Sequence, residues 1–307
     1  MSANSSSSSN VPTITFIGGG NMCEAILSGL LKTSHPQSRV RVSEPFDQRR
    51  EYLTSKYGID VFADNKAAIT GEGAKVSAAS GAADVVVLAV KPQVVGTVVR
   101  DLAPALVQVK PLVISIVAGV AIKDFARWIH PEGGVAATGT SSAVVPFVRL
   151  MPNTPALVGE GAAGMYAEAA VSAAQREQTE YVVKNIAKEY FWVDSESGID
   201  AVTAISGSGP AYFFLIIEAM EKAGAEMGLD RNVATKLAAQ TALGAARMVL
   251  AGDDDVETLR RKVTSPNGTT HAAIEKMVAE KVPQGVSSGV LACRDRCISL
   301  SDEFGKL

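Results

Sequence analysis

Three consecutive glycines, Gly18, Gly19 and Gly20, followed by Asn21, Met22 and Cys23, stand between a β-branched run, Thr13 to Ile17, and an Ala/Leu-rich stretch, Glu24 to Leu31. A loop of this kind, set between a strand and a helix, can cradle the pyrophosphate of a dinucleotide. Gly18 permits the tight turn, Gly20 lets the backbone approach the phosphates, and a small residue at Cys23 allows the helix to pack on the strand. The first N–H groups of the helix and its dipole would attract the anion. The triplet alone describes a flexible turn equally well; the strand before it and the helix after it favour the dinucleotide. Cofactor contacts are therefore expected from Ile17, Gly18, Gly19, Gly20, Asn21 and Met22.

Two further segments carry the same expectation. The second strand ends near Ser43 and Glu44, where a Rossmann protein meets the adenosine ribose. A carboxylate there accepts hydrogen bonds from ribose hydroxyls and suits NADH, whereas Arg49 and Arg50 nearby either pair with the 2′-phosphate of NADPH or line a solvated helix face. Ala89, Val90, Lys91 and Pro92 follow another strand at its carboxyl end, the usual ligand side of an open α/β sheet.

Two later segments combine turn chemistry with positions that could meet a substrate. Arg149-Leu150-Met151-Pro152-Asn153-Thr154-Pro155 reads as a rigid loop, either a ligand-positioning element or a structural corner. Ser265-Pro266-Asn267-Gly268-Thr269-Thr270 reads as a turn feeding a helix, whose N–H groups at Gly268, Thr269 and Thr270 would be left unpaired and would favour an anion. The threonine hydroxyls there either cap the helix or take part in chemistry. His271 follows at the positive end of that helix, which disfavours its charged form, so it is not taken as a proton donor. Cys23, Cys293 and Cys297 are too few for a disulfide framework, and with His35, His130 and His271 they complete no metal spacing, so no metal site is expected.

These segments need a scaffold, and the chain's 307 residues, 47% of them hydrophobic, suffice for two cores. From residue 11 to 194 short Val/Ile runs alternate with longer Ala/Leu stretches. Strands are expected at Thr13 to Ile17, Arg39 to Val42, Asp84 to Val90 and Leu112 to Val117, in a parallel-type sheet covered on both faces. Thr70 to Gly81 and Glu132 to Ala143 read as surface loops without assigned function, and residues 1–10 as a disordered serine-rich tail. From 195 to 307 strand signals stop and an all-helical domain is expected. Its helix from Ala211 to Ala225, hydrophobic all round, must be buried on every side; the domain could bury one such helix internally, but several apolar helices in a row point to interdigitation with a second subunit. The fold class is thus α/β, an N-terminal Rossmann domain followed by a helical dimerisation domain. A formal net charge of -3 gives no field for nucleic acid or an anionic membrane. No apolar run is expected to reach the ~20 residues of a membrane helix, because Gly, Pro or charge interrupts each hydrophobic stretch first, and a cytoplasmic location is expected.

Taken together, the segments resemble the Δ1-pyrroline-5-carboxylate reductase family. Phe16-Ile17-Gly18-Gly19-Gly20-Asn21-Met22 is similar to its cofactor loop, Ala89-Val90-Lys91-Pro92-Gln93 to its AVKPQ, and Met151-Pro152-Asn153-Thr154-Pro155 to its MPNTP. Ser206-Gly207-Ser208-Gly209-Pro210-Ala211-Tyr212 and Thr264-Ser265-Pro266-Asn267-Gly268-Thr269-Thr270 resemble its two helical-domain signatures. The motifs keep the family's order from about residue 13 to residue 300, with Cys23 in place of the usual alanine and Asn267 where glycine is common.

The resemblance implies reduction of a cyclic imine to L-proline by NADPH or NADH, the last step of proline biosynthesis, with both cofactors expected to work. It implies that Ser265, Pro266, Asn267, Gly268, Thr269 and Thr270 form the substrate turn. Gly268 and Thr269 N–H groups would hold the carboxylate, and the Thr270 hydroxyl would bond the ring nitrogen as the group closest to the chemistry, in a crevice between the domains. It further implies a homodimer, in many members assembled into a ring. A reductase of another imine or oxo acid, or a non-catalytic dinucleotide sensor, are the rival readings; loss of the Thr270 hydroxyl or of the glycine turn would mark the latter, and both are present.

Overall fold

The computed structural model describes residues 11–77, 80–130 and 145–306. The N-terminal tail and the Glu132 to Ala143 stretch thus lie outside the described residues. One sheet contains β1 (Ile14–Ile17), β2 (Val40–Ser43), β3 (Asp60–Phe62), β4 (Val85–Leu88), β5 (Leu112–Ser115), β6 (Phe147–Met151), β7 (Gly161–Ala167) and β8 (Ala187–Trp192), in the order β3-β2-β1-β4-β5-β6-β7-β8. Neighbours run parallel throughout except β6 and β7. The helices α1 (Asn21–Lys32), α2 (Asp47–Tyr57), α3 (Asn65–Thr70), α4 (Pro92–Val109), α5 (Ile122–Ile129), α6 (Ala173–Val183) and α7 (Glu196–Val202) punctuate the strands.

Alternation along the central strands explains why both faces are covered. Ile14, Phe16, Val85, Val87 and Ile114 enter one core with Ile26, Leu27 and Leu30 of α1, while Ile17, Val86, Leu88 and Val113 enter the other with Val95, Val99 and Leu102 of α4. Each such side chain contributes about 1.5 to 3 kcal/mol when fully buried, so a strand apolar on both faces is stable only between two helical layers. The expected strands are found with ends shifted by a residue or two; Ala89 and Val90 leave the sheet because the chain turns there into α4 at Pro92.

The described part of the Thr70 to Gly81 segment has a task its composition hides. Arg41, fully buried on β2, donates to Ser77 Oγ (2.8 Å), Ser80 Oγ (2.8 Å) and the carbonyls of Ser77 (3.1 Å) and Gly81 (2.6 Å). Ser77 Oγ in turn donates to Asp60 (2.7 Å), whose carboxylate also accepts the N–H groups of Lys75, Val76 and Ser77. A buried guanidinium is tolerated only when its donors are satisfied, and this loop satisfies them.

The chain divides into two compact units, residues up to Gly207 together with 294–307, and Ser208–Cys293. The division falls beyond residue 194, where the strand signals stop, because α7 and a π turn at Thr203–Gly207 group with the sheet. Buried Arg149 of β6 pairs with Glu196 of α7 (3.1 Å), and Val202 packs against β7 so tightly that a Cβ on Gly164 would lie 2.5 Å from it.

The second unit holds α8 (Gly209–Glu226), α9 (Arg231–Ala251), α10 (Val256–Lys262), α11 (Thr269–Ala279) and the first half of α12 (Val282–Phe304). The expectation of a helix buried on every side is not met within the single chain. On α8 only Gly209 and Gly224 are buried, and Phe213, Phe214 and Leu215 are each more than 60% exposed. The run from Glu196 to Glu226 is long and apolar enough to cross a membrane by length and composition. That corrects the expectation that no apolar run approaches such a length: from Val202 to Ile217 glycine, serine and proline punctuate the run, but no charge does, and its mean hydropathy stays high.

Candidate functional site

The glycine loop is built where four strand ends, those of β1, β2, β3 and β4, are locked together. Gly18 N–H donates to Ser43 O (2.9 Å), Ala89 N–H to Ile17 O (2.8 Å) and Glu44 N–H to Phe62 O (2.9 Å). Strand order reverses between β1 and β4, so α1 and α4 start from neighbouring strand ends, and the crevice outside such a reversal is where open α/β sheets take ligands. The glycines serve different ends. Gly18 has φ +100 and lies so close to β4 that a Cβ would sit 2.8 Å from Ala89 O. At Gly19 a Cβ would be 2.9 Å from Leu53 and 3.0 Å from Glu44 Oε2, whereas at Gly20, the N-cap of α1, nothing lies within 4 Å. Open space before a helix N-terminus, with the first-turn N–H groups of Asn21 and Met22 lacking intrahelical partners, fits a pyrophosphate.

Around this loop the structure redistributes the expected roles. Glu44, only 7% exposed, accepts Gly19 N–H on Oε2 (2.9 Å) and Phe46 N–H on Oε1 (3.1 Å), so its carboxylate holds the loop as well as ending β2. The Ser43 hydroxyl is buried and donates to Asn65 Oδ1 (2.5 Å) rather than pointing into the crevice. Arg50 donates to the carbonyls of Glu44 (2.9 Å) and Pro45 (2.7 Å). Arg49 donates to Gly19 O (2.7 Å) and to Glu24 Oε2 (2.6 Å). Neither arginine lies free on a solvated helix face: both are engaged with the loop and the end of β2. Lys91 is exposed at the N-cap of α4, with Pro92 opening that helix.

Glu24 escaped the sequence reading altogether. Besides Arg49 it accepts hydrogen bonds from Tyr52 (2.9 Å), Lys56 (2.8 Å) and Tyr57 (2.8 Å). Burial alone would raise its pKa; Lys56, Arg49, Tyr57 and Tyr52 reverse that and bring it down to about 2. Its donors lie 25 to 33 residues away in sequence, and no local pattern announces them. Cys23 beside it is fully buried, and burial drives its thiol well above the ordinary range.

Asn153 has a structural task. Its side chain donates to Ser206 O (3.1 Å) and accepts Ala162 N–H (2.9 Å), tying the end of β6 to the start of β7 and to the π turn.

In the second unit the expected turn is present. Asn267 has φ +61, after Pro266, and the turn closes with Gly268 N–H donating to Ser265 O (3.0 Å). That bond corrects one expectation, because the Gly268 N–H is already occupied. Gly268 is the N-cap of α11, so Thr269 and Thr270 are its first two residues, both exposed. Neither threonine occupies the capping position, and the Thr270 hydroxyl has no hydrogen-bond partner among the described residues. His271 Nδ1 lies 3.6 Å from Glu275, one turn along the helix. Among the described residues no three His, Cys, Asp or Glu side chains gather as a metal site. Cys23, Cys293 and Cys297 form no disulfide, and Cys293 donates to Ser208 Oγ (3.2 Å).

A glycine loop of this geometry at the reversal of a mostly parallel sheet defines the class, a dinucleotide-binding protein of Rossmann architecture. Residues 13–119 match the family described as NADP oxidoreductase coenzyme F420-dependent, and residues 196–300 match pyrroline-5-carboxylate reductase dimerisation. The pyrroline-5-carboxylate reductase of Pseudomonas aeruginosa is 41% identical over 97% of this chain and 100% of its own length. That of Glycine max is 34% identical over 94% of this chain and 96% of its own. Among solved structures, a pyrroline-5-carboxylate reductase from Coxiella burnetii aligns over 95% of this chain and 99% of its own, with a TM-score of 0.82 and 36% identity. The Plasmodium falciparum pyrroline carboxylate reductase, solved with NADP bound, aligns over 94% of this chain and 98% of its own, with a TM-score of 0.78 and 24% identity. The chain belongs to the pyrroline-5-carboxylate reductase family. The apolar faces of α8 and α9 accordingly fall in its dimerisation domain.

Proposed function

We propose that this chain reduces Δ1-pyrroline-5-carboxylate to L-proline and accepts both NADPH and NADH. The observation that carries the reading is the 41% identity to the Pseudomonas aeruginosa reductase along that protein's whole length. When bound, the nicotinamide cofactor supplies the hydride that reduces the C=N bond. The residues around the Gly18-Gly19-Gly20 loop fit such a molecule. Ile17 ends the strand beneath it, and the N–H groups of Gly20, Asn21 and Met22 at the positive end of α1 hold its pyrophosphate. Ala89, Val90, Lys91 and Pro92 form the neighbouring wall. Ser43 shapes the ribose side through Asn65, and the lone pairs of Glu44 not used by Gly19 and Phe46 accept ribose hydroxyls.

The substrate turn supplies orientation rather than a strong acid. The N–H groups of Thr269 and Thr270, at the positive end of α11, take the carboxylate, with Thr270 in place of the occupied Gly268. The Thr270 hydroxyl accepts the ring N–H of the protonated imine, which is already electrophilic. Ser265, Pro266 and Asn267 hold the turn in shape. The helical domain pairs with that of a second copy through the exposed apolar faces of α8 and α9, and the chain works in the cytoplasm.

Following nicotinamide absorbance with pyrroline-5-carboxylate and each cofactor in turn tests the reading. Oxidation of both cofactors, dependent on the imine, is expected; no oxidation with either overturns it, and reaction with an oxo acid instead favours another reductase on the same plan.

A further inference from the structure

Gly19 is held on both sides by side chains from the far side of the loop. Its N–H donates to Glu44 (2.9 Å) and its carbonyl accepts from Arg49 Nε (2.7 Å), while the other branch of the same guanidinium donates to Glu24 (2.6 Å). The first bond fixes the Gly18–Gly19 peptide and the second the Gly19–Gly20 peptide, and because a peptide unit is planar, fixing the Gly19 carbonyl also fixes the direction of the Gly20 N–H in the same unit. We infer that Arg49, anchored by Glu24, is a positioning residue that orients the Gly18-Gly19-Gly20 backbone for the pyrophosphate, and that it is not a ligand of the 2′-phosphate of NADPH. The inference rests on the cofactor reading of this loop given above.

The surroundings of Glu24 support that division of labour. Glu24 stands in the first turn of α1, where an unpaired carboxylate would repel the phosphates the helix dipole attracts. Two cations and two phenols converge on it instead, and Arg49 is further placed by lying 4.9 Å over the ring of Tyr52. The fork geometry explains why arginine is needed. A planar guanidinium bonds Gly19 O through Nε and Glu24 through a terminal nitrogen at once, whereas a lysine ammonium on a single flexible stem reaches one of them.

The test is the dissociation constant of NADPH, NADH and ADP-ribose, measured by calorimetry on the full chain and on two variants. ADP-ribose carries the pyrophosphate without a 2′-phosphate. In Arg49→Lys all three should weaken together by about tenfold, the scale of one charge-assisted hydrogen bond. The NADPH to NADH ratio should stay within about twofold, and KM for the imine at saturating cofactor should not move. Glu24→Gln, which keeps an acceptor and drops the charge, should shift the same three ligands in the same direction by a smaller factor, and it carries the test if Arg49→Lys does not fold. Loss of NADPH alone, with NADH and ADP-ribose unaffected, overturns the inference and makes Arg49 a phosphate ligand. Unchanged binding of all three in both variants overturns it as well. If the unaltered chain binds none of the three, the cofactor reading of the loop fails first and takes the inference with it.

Discussion

Replacing Thr270 by valine separates the two tasks its position allows. The change keeps size and branching and removes the hydroxyl, while the backbone N–H groups at the start of α11 stay where they are. Gly268, not a threonine, is the N-cap, and the Thr270 hydroxyl has no partner among the described residues. The substitution therefore removes no cap, and the stability cost should be below the roughly 0.5 kcal/mol of an ordinary surface change. Within a desolvated site, an imine N–H left without its acceptor costs about 1 to 3 kcal/mol. At ~1.4 kcal/mol per factor of ten this is about five- to a hundredfold in rate. The loss should appear in kcat/KM for pyrroline-5-carboxylate, with the dissociation constants of NADPH and NADH unchanged, since the dinucleotide contacts lie in the other unit. Steady-state kinetics with cofactor titrations and a thermal melt give all three numbers. Parental kcat/KM in the valine variant would refute the role. A fall in the melting midpoint comparable to the loss of a cap, about 1 kcal/mol or more, would instead make the hydroxyl structural.

Glu44→Ser removes an acceptor from the Gly19 N–H and a negative charge from the ribose side, so both cofactors should bind more weakly, NADH more than NADPH. An unchanged NADPH to NADH ratio would show that Glu44 serves the loop alone. Gly18→Ala places a Cβ 2.8 Å from Ala89 O at φ +100, so it should lose about 2 kcal/mol or more of stability together with cofactor affinity, and a parental melt would contradict the geometry. Arg41→Met leaves Ser77, Ser80 and the Gly81 carbonyl without their buried donor and should cost about 3 to 5 kcal/mol in denaturant unfolding. A loss under about 1 kcal/mol would mean that the loop relaxes around the gap. Sedimentation equilibrium at micromolar concentration should give twice the chain mass or more, and a stable monomer would leave the exposed faces of α8 and α9 without an occupant.

What the sequence disclosed and what it concealed follow from the range of the interactions. β1, β4 and β5 were legible because a strand buried on both faces is almost continuously apolar, and VVVL at 85–88 is such a run. The Gly18 to Gly20 loop was legible because a tight turn and a close backbone approach each restrict the residue type locally. β7, in contrast, reads GAAGMYA, too poor in β-branched residues to announce a strand. Its glycines are there because Gly161 lies against Ile186 O and Gly164 against Val202, neighbours 25 and 38 residues away along the chain. The same holds for charge. Arg41 looks like a surface residue until Ser77 and Ser80 are seen to close over it, and Arg49 like a helix-face arginine until Gly19 and Glu24 are found within its reach.

At the substrate turn the limit is finer still. Pro266-Asn267-Gly268 announced both a turn and a helix start, but whether the Gly268 N–H remains free depends on whether that turn closes on itself. It does, through Ser265 O at 3.0 Å, which leaves Thr269 and Thr270 as the first N–H groups open to an anion. In the proposed reading the carboxylate and the ring nitrogen would both depend on Thr270, through two different atoms, its N–H and its hydroxyl. Thr270→Val cuts only the second of these, whereas Thr270→Pro would remove the N–H and the hydroxyl together, within the first turn where a helix tolerates proline. If Thr270 binds the substrate in both ways, the proline variant should raise KM for the imine well beyond the valine variant while α11 still forms. Equal KM values in the two would return the carboxylate to Thr269 alone.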